Sequence, residues 1–303
     1  IWWHFWLVLN LKIMKVVIYG ATGWLGKSTI NHLLNINKDV DLILIASKRK
    51  KLLFQNKKFD VLNPDDMKNI KNEEFDILFN YSFLTGNNVS KIKPKEYVAI
   101  TDEIIENGNI FLENNNVKKA LLSSSGAIYW ADTKKENIYS SQKLKQERLF
   151  IEICENNNIE YSIARIFGLI SNFYNVDYKY AFSSFIAQSQ KNKIIKIDSN
   201  IKVIRSYLVF DRLIDYFLKD PINVFDAWNI NLDIYELGKI ISKITNSELI
   251  VNENYFDSIQ KDEYISKDYS FKNEFDDSLL DTEEKIKEII KFTENKKNTF
   301  DIL

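Results

Sequence analysis

The stretch KVVIYGATGWLGKSTINHLLN, residues 15–35, joins a β-branched run to a glycine-rich turn and then to apolar residues at helical spacing. The first part is typical of a buried strand and the last part of an amphipathic helix. Gly20, Gly23 and Gly26 lie three residues apart in a chain with only eight glycines. Such a turn lets the backbone approach a diphosphate at the positive end of the helix. The stretch therefore predicts a dinucleotide-binding turn, with an ordinary glycine turn as the alternative.

The composition limits the partners that fit this chain. With 303 residues and 45% hydrophobic content, it can form one large domain or two small ones. A net charge of −1 argues against nucleic acid or a membrane surface as the main partner. The single cysteine, Cys154, cannot form an internal disulfide; we expect it to be a small buried residue in a reducing cytoplasm. One cysteine and two histidines predict no metal site.

Residues 1–13, IWWHFWLVLNLKI, differ in composition from the rest of the chain and contain three of its six tryptophans. The run is too short to span a bilayer and lacks the basic start of a signal peptide. An ordered strand pattern begins directly after Met14. We therefore expect the natural chain to start at Met14 and residues 1–13 to be a non-native or upstream extension, with an interfacial anchor as the alternative.

Further runs predict strands of the same sheet: residues 40–46, the segments KFDVLN and EEFDILFN, and residues 118–123. Their alternation with helical stretches predicts an α/β fold with a Rossmann-type, doubly wound parallel sheet. An NAD-binding domain has a carboxylate about twenty residues beyond the turn. Here the sequence is Ser47-Lys48-Arg49, followed by two more lysines. Basic residues there favour the 2′-phosphate of NADP, so NADP is the predicted cofactor and NAD the second choice. A solvated basic loop is the structural alternative.

The turn GATGWLG resembles that of the short-chain dehydrogenase/reductase superfamily, which has the same glycine spacing. The resemblance implies cofactor contacts from Gly20, Thr22, Gly23, Trp24, Leu25 and Gly26. A packing role is favoured over base stacking for Trp24. Asp60-Val61 resembles the acidic-apolar pair that contacts adenine in the superfamily. Asn80 begins a segment that is usually an alanine-rich turn beside the cofactor, and Phe83 is bulkier than that pattern.

Two Tyr-x-x-x-Lys spacings occur in the chain, Tyr139/Lys143 and Tyr235/Lys239. With 15 tyrosines and 36 lysines in 303 residues, random placement gives about two such spacings, so the spacing alone carries no information. On a helix the two side chains share one face, and the ammonium stabilises a phenolate that can exchange protons. The pair Tyr235/Lys239 lies in a late helix-like stretch and is expected to be an ordinary surface pair.

The context of Tyr139 resembles the extended branch of the superfamily, the NAD(P)-dependent epimerase/dehydratase family that modifies nucleotide-linked sugars. SSSGAIY, residues 123–129, resembles the serine-rich strand end of that branch, and YSSQKLKQE resembles its Tyr-x-x-Ser-Lys-x-x-x-Glu helix. The resemblance implies that Ser125, Tyr139 and Lys143 are catalytic. It also implies that Tyr139 and Lys143 contact the cofactor. Ser124 is the alternative hydroxyl and a substrate contact.

Three departures from the branch affect this site. Gln142 stands where the motif usually has serine. Ser125 and Tyr139 are only fourteen residues apart, so the loop between them is short and this rim of the pocket is predicted to be open. Gly126-Ala127 replaces the Asp-Glu pair of the 4,6-dehydratases, which disfavours dehydration.

The resemblance also implies a division of the chain. We expect a Rossmann domain over residues 14–168 and a smaller, mainly substrate-binding α/β region over residues 169–303. Segments within about 200–235 are expected to return to the first domain. Asp281 and Glu284 have capping-box spacing and predict the start of a final amphipathic helix.

RSYLVFDRL, residues 205–213, resembles a family segment whose arginine often lies near the substrate diphosphate, so Arg205 is a predicted substrate contact. Arg165 is expected to be structural.

The resemblance implies a nucleotide-linked sugar as substrate, a homodimer, and either epimerisation or NADPH-dependent reduction of a keto sugar. The alternative is a non-catalytic NADP(H)-binding regulatory or scaffold protein on the same fold. The complete Ser/Tyr/Lys set argues against that alternative, because a sensor needs none of the three.

Overall fold

The computed structural model describes residues 13–37, 39–131, 133, 137–174, 180–219, 223–275, 278–295 and 300–302. Residues 1–12 of the predicted extension and residues 132 and 134–136 of the short loop lie outside them. The described helices are α1 (Trp24–Ile36), α2 (Pro64–Asn69), α3 (Pro94–Asn114), α4 (Ile138–Asn156), α5 (Ala181–Asn192), α6 (Phe210–Lys219), α7 (Ile234–Thr245) and α8 (Leu279–Glu294). The described strands are β1 (Lys15–Tyr19), β2 (Asp41–Ile45), β3 (Lys50–Phe54), β4 (Lys57–Leu62), β5 (Glu74–Asn80), β6 (Asn116–Ser125), β7 (Glu160–Ile166), β8 (Gly168–Ile170), β9 (Ile194–Ile197), β10 (Lys202–Val209), β11 (Val224–Ala227), β12 (Ile230–Asp233), β13 (Glu248–Val251), β14 (Lys261–Tyr264) and β15 (Asp301–Ile302).

The larger sheet has nine strands in the order β11-β7-β6-β5-β1-β2-β4-β3-β15. The seven strands from β11 to β4 run parallel, and β3 pairs antiparallel with β4. From β1 the chain builds the sheet first through β2 on one side and later through β5 on the other, so the strand order reverses there. Ligands of such sheets bind at the carboxyl ends of the strands beside the reversal. The predicted Rossmann-type doubly wound sheet is confirmed.

Strand β1 shows why this sheet is covered on both faces. Val16 and Ile18 belong to one core with side chains of α1 and α6, whereas Val17 and Tyr19 belong to another with side chains of α3 and α4. Successive strand side chains point to opposite faces, so a strand with four consecutive buried residues, Val16 to Tyr19, needs helices on both faces of the sheet. Cys154 lies in the second core and is fully buried, which confirms the role predicted for it.

A second sheet lies in the later part of the chain and contains β12, β10 and β14, with β8 also paired to β10. Strands β9 and β13 form a separate parallel pair. A third apolar core joins these strands to α5, α7 and α8. The chain also returns to the larger sheet, because β11 pairs with β7 and α6 packs against α1. The predicted division at residue 168 stays a prediction.

The final helix begins three residues earlier than the sequence suggested. Ser278 caps α8: its side chain accepts a hydrogen bond from the Asp281 N–H, and the Asp281 carboxylate accepts one from the Ser278 N–H at 2.8 Å. The predicted capping box of Asp281 and Glu284 is therefore wrong. Both pairs have the required spacing, and the direction in which the preceding chain enters the helix decides between them.

The basic segment after β2 becomes a strand. Lys50 and Lys51 begin β3, which returns to β4 through the two-residue turn Gln55-Asn56 with φ of 49° and 62°. Positive φ at both positions matches the twist of a tight hairpin. The alternative of a solvated basic loop thus applies only to the residues before Lys50.

Candidate functional site

The glycine turn has the shape that a bound diphosphate requires. Gly20 has a φ of +93°, and a Cβ there would lie 2.9 Å from the Ser82 nitrogen. At Gly26 a Cβ would lie 2.4 Å from the Gly20 carbonyl oxygen, so the helix rests directly on the strand end. No side chain caps the start of α1 at Gly23, which leaves the first N–H groups of the helix for an anion. The turn fits a dinucleotide diphosphate.

The remaining predicted residues of the turn are half-buried. Leu25 packs against the core beneath α1. Trp24 packs against the core of the later region, with its ring centroid 6.2 Å from that of Tyr180. Its indole Nε1 is buried and has no hydrogen-bond partner among the described residues. Trp24 is thus a packing residue that bridges the two regions above the turn, and Thr22 lies beside it in the turn.

Arg49 is held in an ion pair. Its Nε lies 2.6 Å from Asp66 Oδ2, and a second guanidinium nitrogen contacts the other carboxylate oxygen. Asp66 lies in the first turn of α2, where it also completes a capping box with Asn63. The neighbouring Ser47 and Lys48 are exposed. Of the predicted basic residues, Arg49 is therefore already neutralised by a carboxylate.

Two lysines near this segment have no such partner. Lys27 of α1 lies close to Lys50 of β3: burial lowers the pKa of Lys27, and the charge of Lys50 lowers it further. In the described part of the chain, neither lysine forms an ion pair, and Lys48 forms none either. Lysines kept close together without a carboxylate suit a phosphate ligand.

Three further predicted cofactor residues lie on β4 and β5. Asp60 is exposed, with its carboxylate 4.0 Å from Lys51 Nζ, whereas Val61 is buried in the core beneath α1. Asn80 ends β5 and is 3% exposed, and its Oδ1 has no hydrogen-bond partner among the described residues. The Asn80 amide packs closely against Gly108. A Cβ added at Gly108 would lie 2.8 Å from Asn80 Nδ2, so the neighbouring backbone holds the amide in place. Asn80 thus has an unused acceptor at a strand end beside the reversal point.

The three predicted catalytic residues converge at the end of β6. Ser125 is the last residue of the strand, and its Oγ accepts a hydrogen bond from the Ala127 N–H at 3.2 Å. Tyr139, in the first turn of α4, lies close enough to Ser125 for the two hydroxyls to interact, and this interaction lowers the pKa of Tyr139. One turn later Lys143 is 4% exposed, and its Nζ donates to the Ser123 carbonyl and to Gln146 Oε1, each at 2.9 Å.

Burial governs the protonation of this set. It raises the pKa of Tyr139 to about 12, and the hydrogen bond from Ser125 offsets only part of the rise. Burial also lowers the pKa of Lys143 to about 7, although the carboxylate of Glu147 acts in the opposite direction. The phenol is therefore protonated at neutral pH in the chain alone, and the ammonium is close to its midpoint.

The predicted substrate contacts have different surroundings. Ser124 is 5% exposed, and its Oγ has no hydrogen-bond partner in the part of the chain that is described. Arg205 on β10 is held by the Asp262 carboxylate at 2.6 Å and by the Asp262 carbonyl at 2.8 Å. Arg165 forms a two-point pair with Glu147, at 3.1 and 2.8 Å, which is the structural role expected of it.

Two aromatic residues of the site have no assigned role in the sequence analysis. Phe83 lies under the ammonium of Lys143, 3.9 Å from the ring centroid, and its edge meets the Tyr139 ring. Tyr264 on β14 places its hydroxyl 3.3 Å from Ser125 Oγ. The bulk of Phe83 in a segment that is usually a small, alanine-rich turn could have indicated its role. Nothing in the local sequence around Tyr264 indicates this contact, because only the strand pairing of the second sheet brings it there.

Neither a metal cluster nor a membrane span occurs among the described residues. Across them, no group of histidine, cysteine, aspartate and glutamate has the arrangement of a metal site. In the same part of the chain, every helix is too short or too polar to cross a membrane.

The fold and this crevice define a Rossmann-type α/β protein with a dinucleotide turn. The chain belongs to the NAD dependent epimerase/dehydratase family, whose profile matches residues 16–219. The family resemblance predicted from the glycine turn and the Tyr139 segment is thereby confirmed. No curated protein sequence matches the chain.

Several solved structures share the fold over nearly the whole chain. A UDP-N-acetylglucosamine 4-epimerase from Methanobrevibacter ruminantium M1, in complex with UDP-N-acetylmuramic acid, is 20% identical with a TM-score of 0.68, covering 93% of this chain and 98% of that one. The UDP-glucose 4-epimerase of Thermotoga maritima, with UDP-glucose, is 14% identical with a TM-score of 0.66, covering 93% and 100%. The UDP-glucose 4-epimerase of Thermus thermophilus, in complex with NAD, is 10% identical with a TM-score of 0.67, covering 92% and 99%.

Proposed function

We propose that this chain is a nucleotide-sugar epimerase or keto-sugar reductase in which Ser125, Tyr139 and Lys143 carry out the proton transfer. The observation that carries the proposal is the convergence at the end of β6: Ser125 ends the strand, Tyr139 lies beside it in the first turn of α4, and the buried Lys143 one turn later bonds to the Ser123 carbonyl. The strand reversal and the glycine turn favour a dinucleotide site along the same edge of the sheet. Family membership and the UDP-sugar epimerases among the related structures support the substrate class.

Each residue of the proposed site has a separate role in binding or proton transfer. When bound, the nicotinamide ring takes a hydride from a sugar carbon or returns one. Tyr139, as phenolate, accepts the proton of the sugar hydroxyl, and Ser125 orients that oxygen by hydrogen bonding. The Gly20–Gly26 turn would hold the diphosphate of the dinucleotide, and the unused Asn80 Oδ1 would accept a hydrogen bond from a bound ligand.

The protonation states set a requirement on this mechanism. Moving the pKa of Tyr139 from about 12 to about 7 requires roughly 7 kcal/mol. A protonated Lys143 supplies part of this stabilisation. Its ammonium lies over the Phe83 ring, 3.9 Å from the centroid, and this cation–π contact favours the charged form in a buried site. Desolvation opposes that charge, so the ammonium is most effective when a ligand brings further partners into the crevice.

A direct test uses purified protein with a panel of UDP- and dTDP-linked sugars. Product formation is followed by chromatography, and the wild type is compared with Ser125→Ala and Lys143→Met. We expect turnover of at least one nucleotide sugar and its loss in both variants, with dinucleotide affinity retained in Ser125→Ala. If no sugar is turned over while dinucleotide still binds with high affinity, the chain is a non-catalytic regulatory or scaffold protein instead.

The cofactor proposed here is NADP. Lys27, Lys48 and Lys50 lie near the end of β2 without carboxylate partners among the described residues, and no acid occurs between Ala46 and Lys51. A 2′-phosphate gains from such a cluster, whereas the acid that binds the ribose of NAD would repel it. Arg49, by contrast, is paired with Asp66 and contributes less than the sequence suggested.

Calorimetric titration with NADPH and NADH tests this preference. We expect Lys50→Glu to weaken NADPH binding by about tenfold or more and to leave NADH binding nearly unchanged. Lys58→Glu is the matched control, because it changes the same charge on the neighbouring strand near the other end of the hairpin. Tighter binding of NADH than of NADPH by the wild type would identify NAD as the cofactor, and equal affinity would contradict the NADP preference.

The cellular setting proposed is the cytoplasm, since the one cysteine is buried and no disulfide contributes to this fold. A homodimer is proposed from the family resemblance alone. Light scattering of the purified chain measures the oligomeric state, and a monomer across the working concentration range would remove that proposal.

A further inference from the structure

Ser125 has three polar neighbours, of which the proposed mechanism uses only Tyr139. Its Oγ accepts from the Ala127 N–H at 3.2 Å and lies 3.3 Å from the Tyr264 hydroxyl. Tyr139 interacts with the same hydroxyl, which lowers the pKa of the phenol. Two tyrosines, one from each region of the molecule, therefore meet at a single serine oxygen.

The directions of these bonds follow from the capacity of a serine hydroxyl, which has one proton and two acceptor lone pairs. Ala127 can only donate, so it occupies one lone pair. The other lone pair and the proton remain for Tyr139 and Tyr264. When Tyr139 is ionised it has no proton and can only accept, so it takes the serine proton. Tyr264 must then donate to the remaining lone pair.

Ring packing and strand pairing hold Tyr264 in place. Its ring lies between Trp130 and Phe167, with centroid distances of 4.9 and 4.7 Å. Strand β14 pairs in parallel with β10, which places Tyr264 opposite Arg205. Burial raises the pKa of Tyr264 well above its usual value, so its hydroxyl remains a donor across the working pH range.

We propose that Tyr264 is a positioning residue that acts through Ser125: by donating to Ser125 it directs the serine proton to Tyr139 and stabilises the phenolate. This inference rests on the proposed function and adds to it a residue from the second sheet. Without Tyr264, Ser125 can also act as acceptor toward the protonated phenol, which favours the inactive form. The expected consequence is a higher pKa of Tyr139 in Tyr264→Phe.

Other groups near these hydroxyls have to be considered in any pH measurement. Tyr97 of α3 and Tyr180 before α5 interact electrostatically with Tyr139. Lys143 lies one turn along α4, and Asp226 of β11 acts on Tyr264. None of them is changed in Tyr264→Phe, so they are constant between the variants that are compared.

The experiment measures Tyr139 ionisation by tyrosinate absorbance in the presence of saturating oxidised dinucleotide. The signal of Tyr139 is the difference between each protein and the same protein with Tyr139→Phe. We expect Tyr264→Phe to raise the pKa of Tyr139 by about 0.5 to 1 unit. Turnover below that pKa should fall about three- to tenfold, and Tyr161→Phe, whose hydroxyl bonds to Glu155, should change neither quantity.

A double-variant cycle separates positioning from a general structural effect. In a Ser125→Ala background, Tyr264→Phe should no longer shift the pKa of Tyr139, because the serine that transmits the effect is absent. An equal shift in both backgrounds, or no shift in either, overturns the inference. A separate outcome tests the proposed function. If Tyr139→Phe keeps full turnover, the proton-transfer role of Tyr139 is wrong, whatever the absorbance measurement shows for Tyr264→Phe.

Discussion

Helices α4 and α7 carry the same local sequence pattern and differ in what surrounds them. Each begins with a capping box, has isoleucine as its first residue and tyrosine as its second, and places lysine four residues after the tyrosine. In α4 these residues are Tyr139 and Lys143, and in α7 they are Tyr235 and Lys239. Lys143 is 4% exposed, whereas Lys239 is exposed. The same pair is therefore part of a buried site in one helix and of the surface in the other.

The two helices bury opposite kinds of residue. The buried positions of α7 are apolar or glycine: Ile234, Leu237, Gly238, Ile240 and Ile241. Those of α4 are mostly polar: Ser140, Gln142, Lys143, Gln146, Glu147, Phe150 and Cys154. Burying polar groups costs free energy unless they are bonded or used, and α4 bonds most of them around the crevice. The comparison shows that the motif acquires its chemistry from its location and not from its spacing.

The largest expected difference between the two helices is in turnover. Tyr139→Phe should lower kcat by about 10² to 10⁴, because the proton acceptor is lost. Tyr235→Phe, the matched change in α7, should stay within about twofold, since its ring packs against Phe256 outside the crevice. Steady-state kinetics with the nucleotide sugar found active measures both. Comparable losses in the two variants would contradict the difference drawn here.

A second pair of variants compares two helix glycines at which neighbouring atoms approach closely, one in each region of the molecule. In Gly26→Ala the new Cβ would lie 2.4 Å from the Gly20 oxygen and 2.6 Å from the Ala21 Cα, which cannot move without displacing the strand end. We expect a loss of about 3 kcal/mol or more in the free energy of unfolding, and loss of dinucleotide binding.

Its counterpart in α7 is Gly238→Ala. There the Cβ would meet the ends of the Ile197 and Leu249 side chains at 3.2 Å and the Phe185 ring at 3.5 Å, all of them side-chain atoms. The higher helix propensity of alanine offsets this crowding, so we expect a change within about 1 kcal/mol. Urea unfolding measures the free energy of unfolding of both variants. A larger loss for Gly238→Ala than for Gly26→Ala would contradict the conclusion that the glycine turn is the more tightly packed of the two sites.

Replacing Lys143 and replacing Lys239 should change the stability of the fold by different amounts, and the two effects should depend differently on pH. Lys143→Met removes a buried ammonium whose pKa is lowered to about 7, and we expect it to stabilise the fold by about 2 to 4 kcal/mol while abolishing turnover. Between pH 7 and about 10.5 the unfolded wild type binds more protons than the folded one, so its stability rises with pH. The advantage of Lys143→Met is therefore full below pH 7 and disappears toward pH 10.5.

Lys239→Met is the control for this experiment. Its ammonium is exposed, so the expected change is within about 0.5 kcal/mol and independent of pH. Thermal or urea unfolding from pH 6 to pH 10 distinguishes the two. Destabilisation by Lys143→Met at pH 6 would show that its hydrogen bonds to Ser123 and Gln146 outweigh desolvation.

The smallest expected effect concerns the helix caps. Asn137 and Asp233 each accept a backbone hydrogen bond, at 3.0 and 2.8 Å. Replacement by alanine should cost about 1 kcal/mol at each, and somewhat more at Asp233, which also binds the Tyr255 hydroxyl. Only Asn137→Ala should also lower turnover, because that cap orients the turn that contains Tyr139. A loss of turnover in Asp233→Ala alone would contradict this.

Predictions from the sequence were most successful where local rules apply. The strands before and after the glycine turn and the helix at Tyr139 follow from spacing and residue type, and the family follows from the resemblance of the glycine turn and the Tyr139 segment to known motifs. The capping box of α8 was placed one turn too late, since Ser278/Asp281 and Asp281/Glu284 satisfy the same rule. Arg49 was expected to face a phosphate, but the start of α2 brings Asp66 to it.

The chain's sequence by itself determined that a strand, a glycine turn and a helix would form near residue 15, and that a tyrosine and a lysine would share a helix face. These are consequences of backbone sterics and periodicity, which act over a few residues. Tertiary structure alone decided how deeply Lys143 would be buried and which groups it would bond to, and that Tyr264 would meet Ser125 although the two residues are 139 positions apart in the chain. Burial and strand pairing depend on the whole chain, and they set the charges and hydrogen bonds on which the chemistry rests.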